Sequence, residues 1–261
     1  MTFHSLDIMN ASSILAGKTA FITGAGQGNG EAIAKGLAKA GARVIVTDLN
    51  ADNAKRTADQ IRAHGGQAWD HALDVTSPQQ CEALATEVKA EAGDIDILVN
   101  NAGILIRGGI DVPEPAKQLQ QVMKVNLEGT FNVTHAFLNA LRQSKGAIVN
   151  IASVASFAGW PNTLGYAPSK GAVKQLTQSL AADLAKEGVR VNAIAPGVIA
   201  TAMSASTRAD PEKLDKFLTR IPMGRVGEPD ELVGAVVFLA SSMSSYVTGV
   251  TVPVDGGFLA A

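Results

Sequence analysis

The chain has 261 residues, 46% hydrophobic and 18% charged, with a formal net charge of −2. That composition supplies a sizeable core and excludes a disordered chain, and the lack of a basic excess speaks against a nucleic-acid partner. The single cysteine, Cys81, excludes an intrachain disulfide and reads as a packing residue in a helix. His4, His64, His71 and His135 show no metal-ligand spacing, so no metal is expected.

The first sixteen residues lack a basic leading segment and contain Asp7, so they do not read as a signal peptide. The longest apolar stretches, such as 232–240, fall well short of a membrane span. A cytoplasmic protein with no membrane partner is the expectation.

From residue 15 onward, apolar β-rich runs alternate with longer segments of helical period. Residues 19–23 (TAFIT) predict a strand, and 28–40 a helix with Ile33, Gly36, Leu37 and Ala40 on one face. A second strand is expected at 43–48 and a polar amphipathic helix over about 52–64. Residues 67–73 give a third strand and 78–91 a helix with Pro78 at its start. A fourth strand at 96–100 (DILVN) precedes a long helical region over about 114–142. Then come a strand at 147–152, a helix at 166–186, a strand at 190–195, a helix at 228–240 and a last strand at 250–254. Strands that are apolar on both faces suit a parallel sheet covered by helices on each side. No repeat or linker divides the chain. The sequence therefore predicts an α/β protein: one doubly wound domain over 15–261 with a seven-stranded parallel sheet, after an N-terminal extension at 1–14.

The first strand runs into Thr23-Gly24-Ala25-Gly26-Gln27-Gly28-Asn29-Gly30. Glycines at 24, 28 and 30 permit a tight turn and let backbone N–H groups approach a pyrophosphate at the N-terminus of the next helix. The position between a strand and a helix fits that use better than an ordinary loop. Asp48 ends the second strand, where a carboxylate either accepts hydrogen bonds from the adenosine ribose and repels a 2′-phosphate, or opens a turn with Asn50. No lysine or arginine stands in residues 24–30 or immediately after Asp48. NAD is favoured over NADP on that ground.

Tyr166 and Lys170 are one helical turn apart. A free phenol titrates near ~10, too high for a base at neutral pH. A nearby ammonium, together with the positive nicotinamide of an oxidised cofactor, would favour phenolate. Such a pair is common on helix surfaces, and here it has company. Ser153 closes the fifth strand, where its hydroxyl can hold a substrate oxygen. Asn101, Ala102 and Gly103 follow the fourth strand, where small residues allow backbone contact with a cofactor. Asn126 interrupts a helix with a mediocre helix former, a local inconsistency that hints at function.

The TGxxxGxG loop at 23–30, the NNAG segment at 100–103, the Ser153–Tyr166 spacing, YxxxK and Pro196-Gly197 occur together and in order. In this the chain resembles the short-chain dehydrogenase/reductase superfamily, from about Leu15 to the C-terminus. The resemblance implies a Rossmann fold and hydride transfer between a nicotinamide cofactor and an alcohol or ketone. It implies Tyr166 as general acid/base, Lys170 as the group that lowers its pKa and binds the nicotinamide ribose, and Ser153 as the holder of the substrate oxygen. It also implies that Asn126 holds a water of a proton relay. Asp74 and Val75 correspond to an adenine-contacting pair or to a strand-end turn. Pro196, Gly197, Ile199 and Thr201 match the segment that fixes the carboxamide, and Gln27 and Leu49 fall beside the cofactor. Asn29 departs from the family pattern, which has an apolar residue there.

Specificity is less legible. Residues 202–222, with Asp210-Pro211 as a helix start, are expected to form a substrate lid. Ala155, Trp160, Asn162, Val198 and Met203, with Ser153 and Tyr166, are expected to line the pocket, Trp160 as an apolar wall and Asn162 as a polar contact. A sugar, polyol or similar secondary alcohol is preferred. The rivals are an NADPH-dependent 3-oxoacyl-carrier-protein reductase and a catalytically silent NAD-sensing protein. By likeness to the family, a homotetramer is expected.

Overall fold

Short runs rich in Val, Ile and Ala become strands here because both of their faces are covered. The computed structural model describes residues 13–261. Its elements run β1 (Thr19–Ile22), α1 (Gly28–Lys39), β2 (Arg43–Asp48), α2 (Ala51–Ala63), β3 (Ala68–Ala72), α3 (Pro78–Ala92), β4 (Ile97–Asn100), α4 (Pro115–Met123), α5 (Gly129–Ala136), α6 (Leu138–Ser144) and β5 (Ala147–Ile151). They continue with α7 (Tyr166–Leu184), β6 (Arg190–Pro196), α8 (Ala205–Arg208), α9 (Pro211–Leu218), α10 (Val233–Ala240) and β7 (Thr251–Val254).

All seven strands pair in parallel, in the order β3-β2-β1-β4-β5-β6-β7. Every residue of β1, β4 and β5 is buried, as a sheet sandwiched between helix layers requires. One layer packs Ile33 and Leu37 of α1, Ala58 and Ile61 of α2, and Val236 and Leu239 of α10 on the sheet. The other packs Leu84 and Val88 of α3, Val133 of α5, Leu141 of α6 and Leu184 of α7. This is the doubly wound Rossmann arrangement. Chain direction across the sheet reverses between β1 and β4, and in such sheets the crevice outside the carboxyl ends at that point receives the ligand.

Local chemistry sets several boundaries. The Asn50 side chain accepts from Asn53 N and starts α2, and Ser77 accepts from Gln80 N ahead of Pro78 and starts α3. The helix expected at 114–142 is broken into three. A π-helical turn, Lys124–Glu128, separates α4 from α5, and Phe137 leaves helical geometry (φ −95°, ψ 3°) before α6. The helix expected at 228–240 opens as a 3₁₀ turn, Pro229–Leu232. The extension expected at 1–14 lies outside the described residues as far as residue 12. Leu15 is already in the core, its N–H bonded to Ala40 O. Among the described residues, no helix is long and apolar enough to cross a membrane.

Candidate active site

A cavity of about 890 Å³ opens at the carboxyl ends of the strands, on the switch point between β1 and β4. Its first wall is the glycine loop. Thr23 Oγ1 accepts the N–H groups of Asn101 and Ala102, and Asn101 Nδ2 donates to the carbonyls of Thr23 and Gly24, so the loop is tied to the end of β4. Gly24 has φ +60°, and a Cβ there would stand 2.9 Å from Ala102 Cα. A Cβ on Gly30 would collide with the Gly24 carbonyl. The loop is packed as closely as glycine allows.

Gln27 caps α1 without a side-chain hydrogen bond, so no side chain of the cap occupies the first N–H groups of the helix. Gly28, Asn29 and Gly30 line the cavity there, and Asn29 Oδ1 is buried without a partner. That cradle fits a dinucleotide pyrophosphate. Asp48, Leu49, Asp74 and Val75 line the far end. Asp48 accepts from Gly26 N and Asn50 N, both at 3.0 Å. Asp74 accepts from Thr76 N and Thr76 Oγ1, so it closes the strand-end turn and lines the cavity as well. Opposite them stand Ala102, Gly103, Pro196, Gly197, Ile199 and Thr201.

At the other end, Ser153 follows β5 and Tyr166 opens α7. Lys170 Nζ donates to the Ile151 carbonyl at 2.6 Å and lies 5.9 Å from the centre of the Tyr166 ring. Burial lowers the Lys170 pKa to about 8. Burial also raises that of Tyr166, and a hydrogen bond with Ser153 opposes the rise. In the protein alone burial dominates, because the lysine is itself buried and turned onto a backbone carbonyl.

Asn126 sits in the π turn and not in a regular helix. Its Oδ1 accepts from Ile104 N, and Nδ2 donates to Ile104 O and Ser169 Oγ. It does not line the cavity. Both amide donors are taken by protein, so it braces the segment after β4 against α7. π turns recur at functional sites, and this one explains why a poor helix former stands there.

Ala155, Trp160, Val198 and Met203 line the substrate end. Asn162 does not: it is exposed, in the left-handed region (φ 59°), and its carbonyl accepts from Gly108 N. Asparagine is there because a turn needs that backbone, which its side chain tolerates. Two basic residues went unnoticed in the sequence. Arg107, between β4 and α4, lines the cavity and donates through Nη2 to Thr207 Oγ1 at 2.6 Å. Arg56, on α2, donates to the Gly26 carbonyl at 2.5 Å and to Asn53 Oδ1 at 2.7 Å. Neither stands beside a motif, so only the fold brings them to the site.

A family model described as enoyl-(acyl carrier protein) reductase matches residues 24–259. The chain is 43% identical to the 2-dehydro-3-deoxy-D-gluconate 5-dehydrogenase of Bacillus subtilis, over 94% of this chain and 96% of that protein. It belongs to the short-chain dehydrogenase/reductase family. A second relative, the 3-oxoacyl-[acyl-carrier-protein] reductase of Thermotoga maritima, is 40% identical over 94% of this chain and 99% of its own. Among solved structures, a gluconate 5-dehydrogenase from Burkholderia cenocepacia in complex with NADP and tartrate superposes with a TM-score of 0.92 at 41% identity, covering 96% of this chain and 99% of that one.

As a short-chain dehydrogenase/reductase, the protein is an NAD(P)-dependent oxidoreductase that moves a hydride between the cofactor and a secondary alcohol or ketone. The geometry suits that reaction. One cavity joins an anion-binding helix end to a hydroxyl, a phenol and an ammonium, the groups needed to hold a dinucleotide and exchange a proton beside it.

Proposed function

We propose that the protein interconverts a secondary hydroxyl and a ketone on a sugar acid or closely related polyol. The carrying observation is Arg107, the cationic side chain at the substrate end of a cavity whose other cation, Lys170, is committed to the Ile151 carbonyl. Arg107 bonds through Nη2 to Thr207, and a guanidinium has five N–H donors, enough left over to grip a carboxylate bidentately. The gluconate 5-dehydrogenase and the 2-dehydro-3-deoxy-D-gluconate dehydrogenase among its relatives act, by their names, on such acids.

In the oxidative direction the substrate hydroxyl lies between Ser153 and Tyr166. Ser153 orients it, the Tyr166 phenolate takes its proton, and the Lys170 ammonium steadies the phenolate. Bound nicotinamide supplies the hydride acceptor at the carbinol carbon. Acid/base exchange of this kind contributes ~10²–10⁴-fold in rate. Pro196, Gly197, Ile199 and Thr201 hold the nicotinamide end, and Asn126 positions the segment that backs it. Asp48 has an acceptor site left on each oxygen for a ribose hydroxyl, which supports NAD as the preferred cofactor.

An assay of NAD⁺ and NADP⁺ against D-gluconate and related aldonates, neutral polyols and hydroxyacyl thioesters tests this reading. Aldonates with NAD⁺ should give the highest kcat/KM. Turnover confined to hydroxyacyl thioesters would overturn the substrate class, and cofactor binding with no turnover would favour the sensing protein. The proposal includes residues 202–222 as the lid, a cytoplasmic location and a homotetramer. Phe131 on α5 is 49% exposed where helix pairing would cover it. Light scattering should give four times the chain mass of 26.9 kDa, and a monomer would count against the tetramer.

A further inference from the structure

We propose that the protein holds a second ligand site, for a phosphate dianion, at the amino ends of the strands, the end of the sheet opposite the active-site cavity. A cavity of about 630 Å³ lies there, and its charged walls are Lys18, Asp96, Lys145 and Arg190. Lys18 and Asp96 stand just before β1 and β4, Lys145 lies between α6 and β5, and Arg190 opens β6. Asp96 is already engaged: it accepts from the Lys18 ammonium at 2.8 Å and from Thr19 N at 2.9 Å. Lys145 and Arg190 are the cations that no carboxylate of the wall offsets.

Arg190 is half-buried and braced. Nη1 donates to the Leu239 carbonyl at 2.8 Å and to Ser244 Oγ at 2.7 Å, and Nη2 donates to the Ser241 carbonyl at 3.1 Å. All three acceptors are neutral, and burial among them lowers the guanidinium's pKa. Three of its five donors are used in these bonds. Nε–H and one Nη2 proton remain, and Nε and Nη2 share the edge that grips two oxygens of an oxyanion side by side. Among the described residues Nε has no partner, and it is not sealed from solvent. The held guanidinium therefore keeps a donor edge free for a ligand.

Lys145 supplies the second charge. It ends α6 in the left-handed region (φ 50°), where glycine or asparagine is the usual residue. Its aliphatic stem lies over Gly188, close enough that a Cβ there would meet Lys145 Cδ at 3.3 Å. The side chain is thereby steered across the turn that leads into β6, and its ammonium has no partner among the described residues. A left-handed lysine with its stem seated and its charge unused breaks a local rule, and an anion in this cavity accounts for it. Ser242 and Ser245, both exposed, add hydroxyls to the same wall. Two cations and a set of hydroxyls suit a dianion with several oxygens better than a single carboxylate.

Calorimetric titration of inorganic phosphate into the NAD⁺-saturated protein at constant ionic strength tests this, because bound NAD⁺ fills the cradle at α1 where phosphate would otherwise sit. Binding should saturate at a single phosphate per chain. Lys145→Asn and Lys145→Gly, both suited to the left-handed turn, should weaken it by about tenfold or more. Arg190→Lys keeps a charge without the fork and should weaken it too. Thermal melting checks that each variant folds, and NAD⁺ should bind all of them as it binds the wild type. Binding that never saturates, or that both Lys145 variants leave unchanged, would overturn the proposal. So would phosphate binding that disappears once NAD⁺ is added, since the anion would then belong to the dinucleotide cradle. Methyl phosphate identifies the source: tighter binding than inorganic phosphate assigns the site to a phosphate ester, and weaker binding to the free ion.

Discussion

Tyr166 and Lys170 pull against their surroundings in opposite senses. Burial keeps the phenol protonated and makes the ammonium easier to neutralise, with the lysine titrating near 8. Ketone reduction needs the phenol proton present, and alcohol oxidation needs it gone. Reduction, which also needs the Lys170 charge, should therefore hold steady across the neutral range and fall above about pH 8 as that charge is lost, while oxidation climbs with pH up to that point. A pH profile of kcat/KM in both directions checks this, and a reduction rate rising toward alkaline pH would contradict it. Tyr166→Phe should cut turnover by ~10²-fold or more while dinucleotide binding, read by titration, persists. Near-normal turnover in that variant would remove Tyr166 from the mechanism. Arg107→Ala should raise KM for an aldonate by about tenfold or more, as loss of a charge-assisted pair does. A neutral polyol should be affected far less. Equal effects on both would show that Arg107 shapes the loop and not the substrate's charge.

The elements were legible in the sequence wherever one local rule governs them. Pro78 behind Ser77 and Pro211 behind Asp210 announce helix starts that the structure confirms. The stretch 114–142 was not legible, because the π turn at Asn126 and the break at Phe137 leave the apolar period nearly intact. Gly36 shows what that period conceals. A Cβ there would meet Val233 Cγ2 at 2.7 Å, so α1 sits flush on the start of α10. Gly36→Ala should destabilise by ~1–3 kcal/mol through overpacking, more than its better helix propensity returns, about 1 kcal/mol. Adding Val233→Ala should recover most of that loss in denaturant unfolding. An additive double variant would mean that the two do not share the contact. In the proposed lid, Asp210 accepts from Lys213 N to start α9. Asp210→Ala should loosen that helix by about 0.5–2 kcal/mol and raise substrate KM more than cofactor Kd. A change confined to the cofactor would argue that residues 202–222 do not cover the substrate.

At the scale of the molecule, sequence order conveyed the parallel sheet, since alternation of strand and helix permits few other topologies. It did not convey which distant side chains the topology gathers. Arg56 on α2 and Arg107 after β4 become neighbours of the glycine loop and of Thr207 only through the folded sheet, and Asn162 leaves the pocket because its turn needs a left-handed residue. The cavity those contacts frame spans the ends of β2, β3, β4, β5 and β6, so a dinucleotide would touch both halves of the sheet at once. A ligand held by the native state alone stabilises the whole fold by mass action, about 2.7 kcal/mol at a concentration of 100 Kd. For a domain of this size each kcal/mol raises Tm by roughly 2–4 °C. Saturating NAD⁺ should therefore raise the melting temperature by about 5–10 °C, and 5′-AMP, which reaches only the end near Asp48 and Asp74, should raise it less at the same multiple of its own weaker Kd only if the native state alone ceases to be what it binds. At equal multiples of Kd the two shifts should match. At equal molar concentration NAD⁺ should win, because it also engages the end near Tyr166 and Lys170. A shift for NAD⁺ no larger than that for 5′-AMP at equal concentration would mean that the nicotinamide half finds no seat in the cavity.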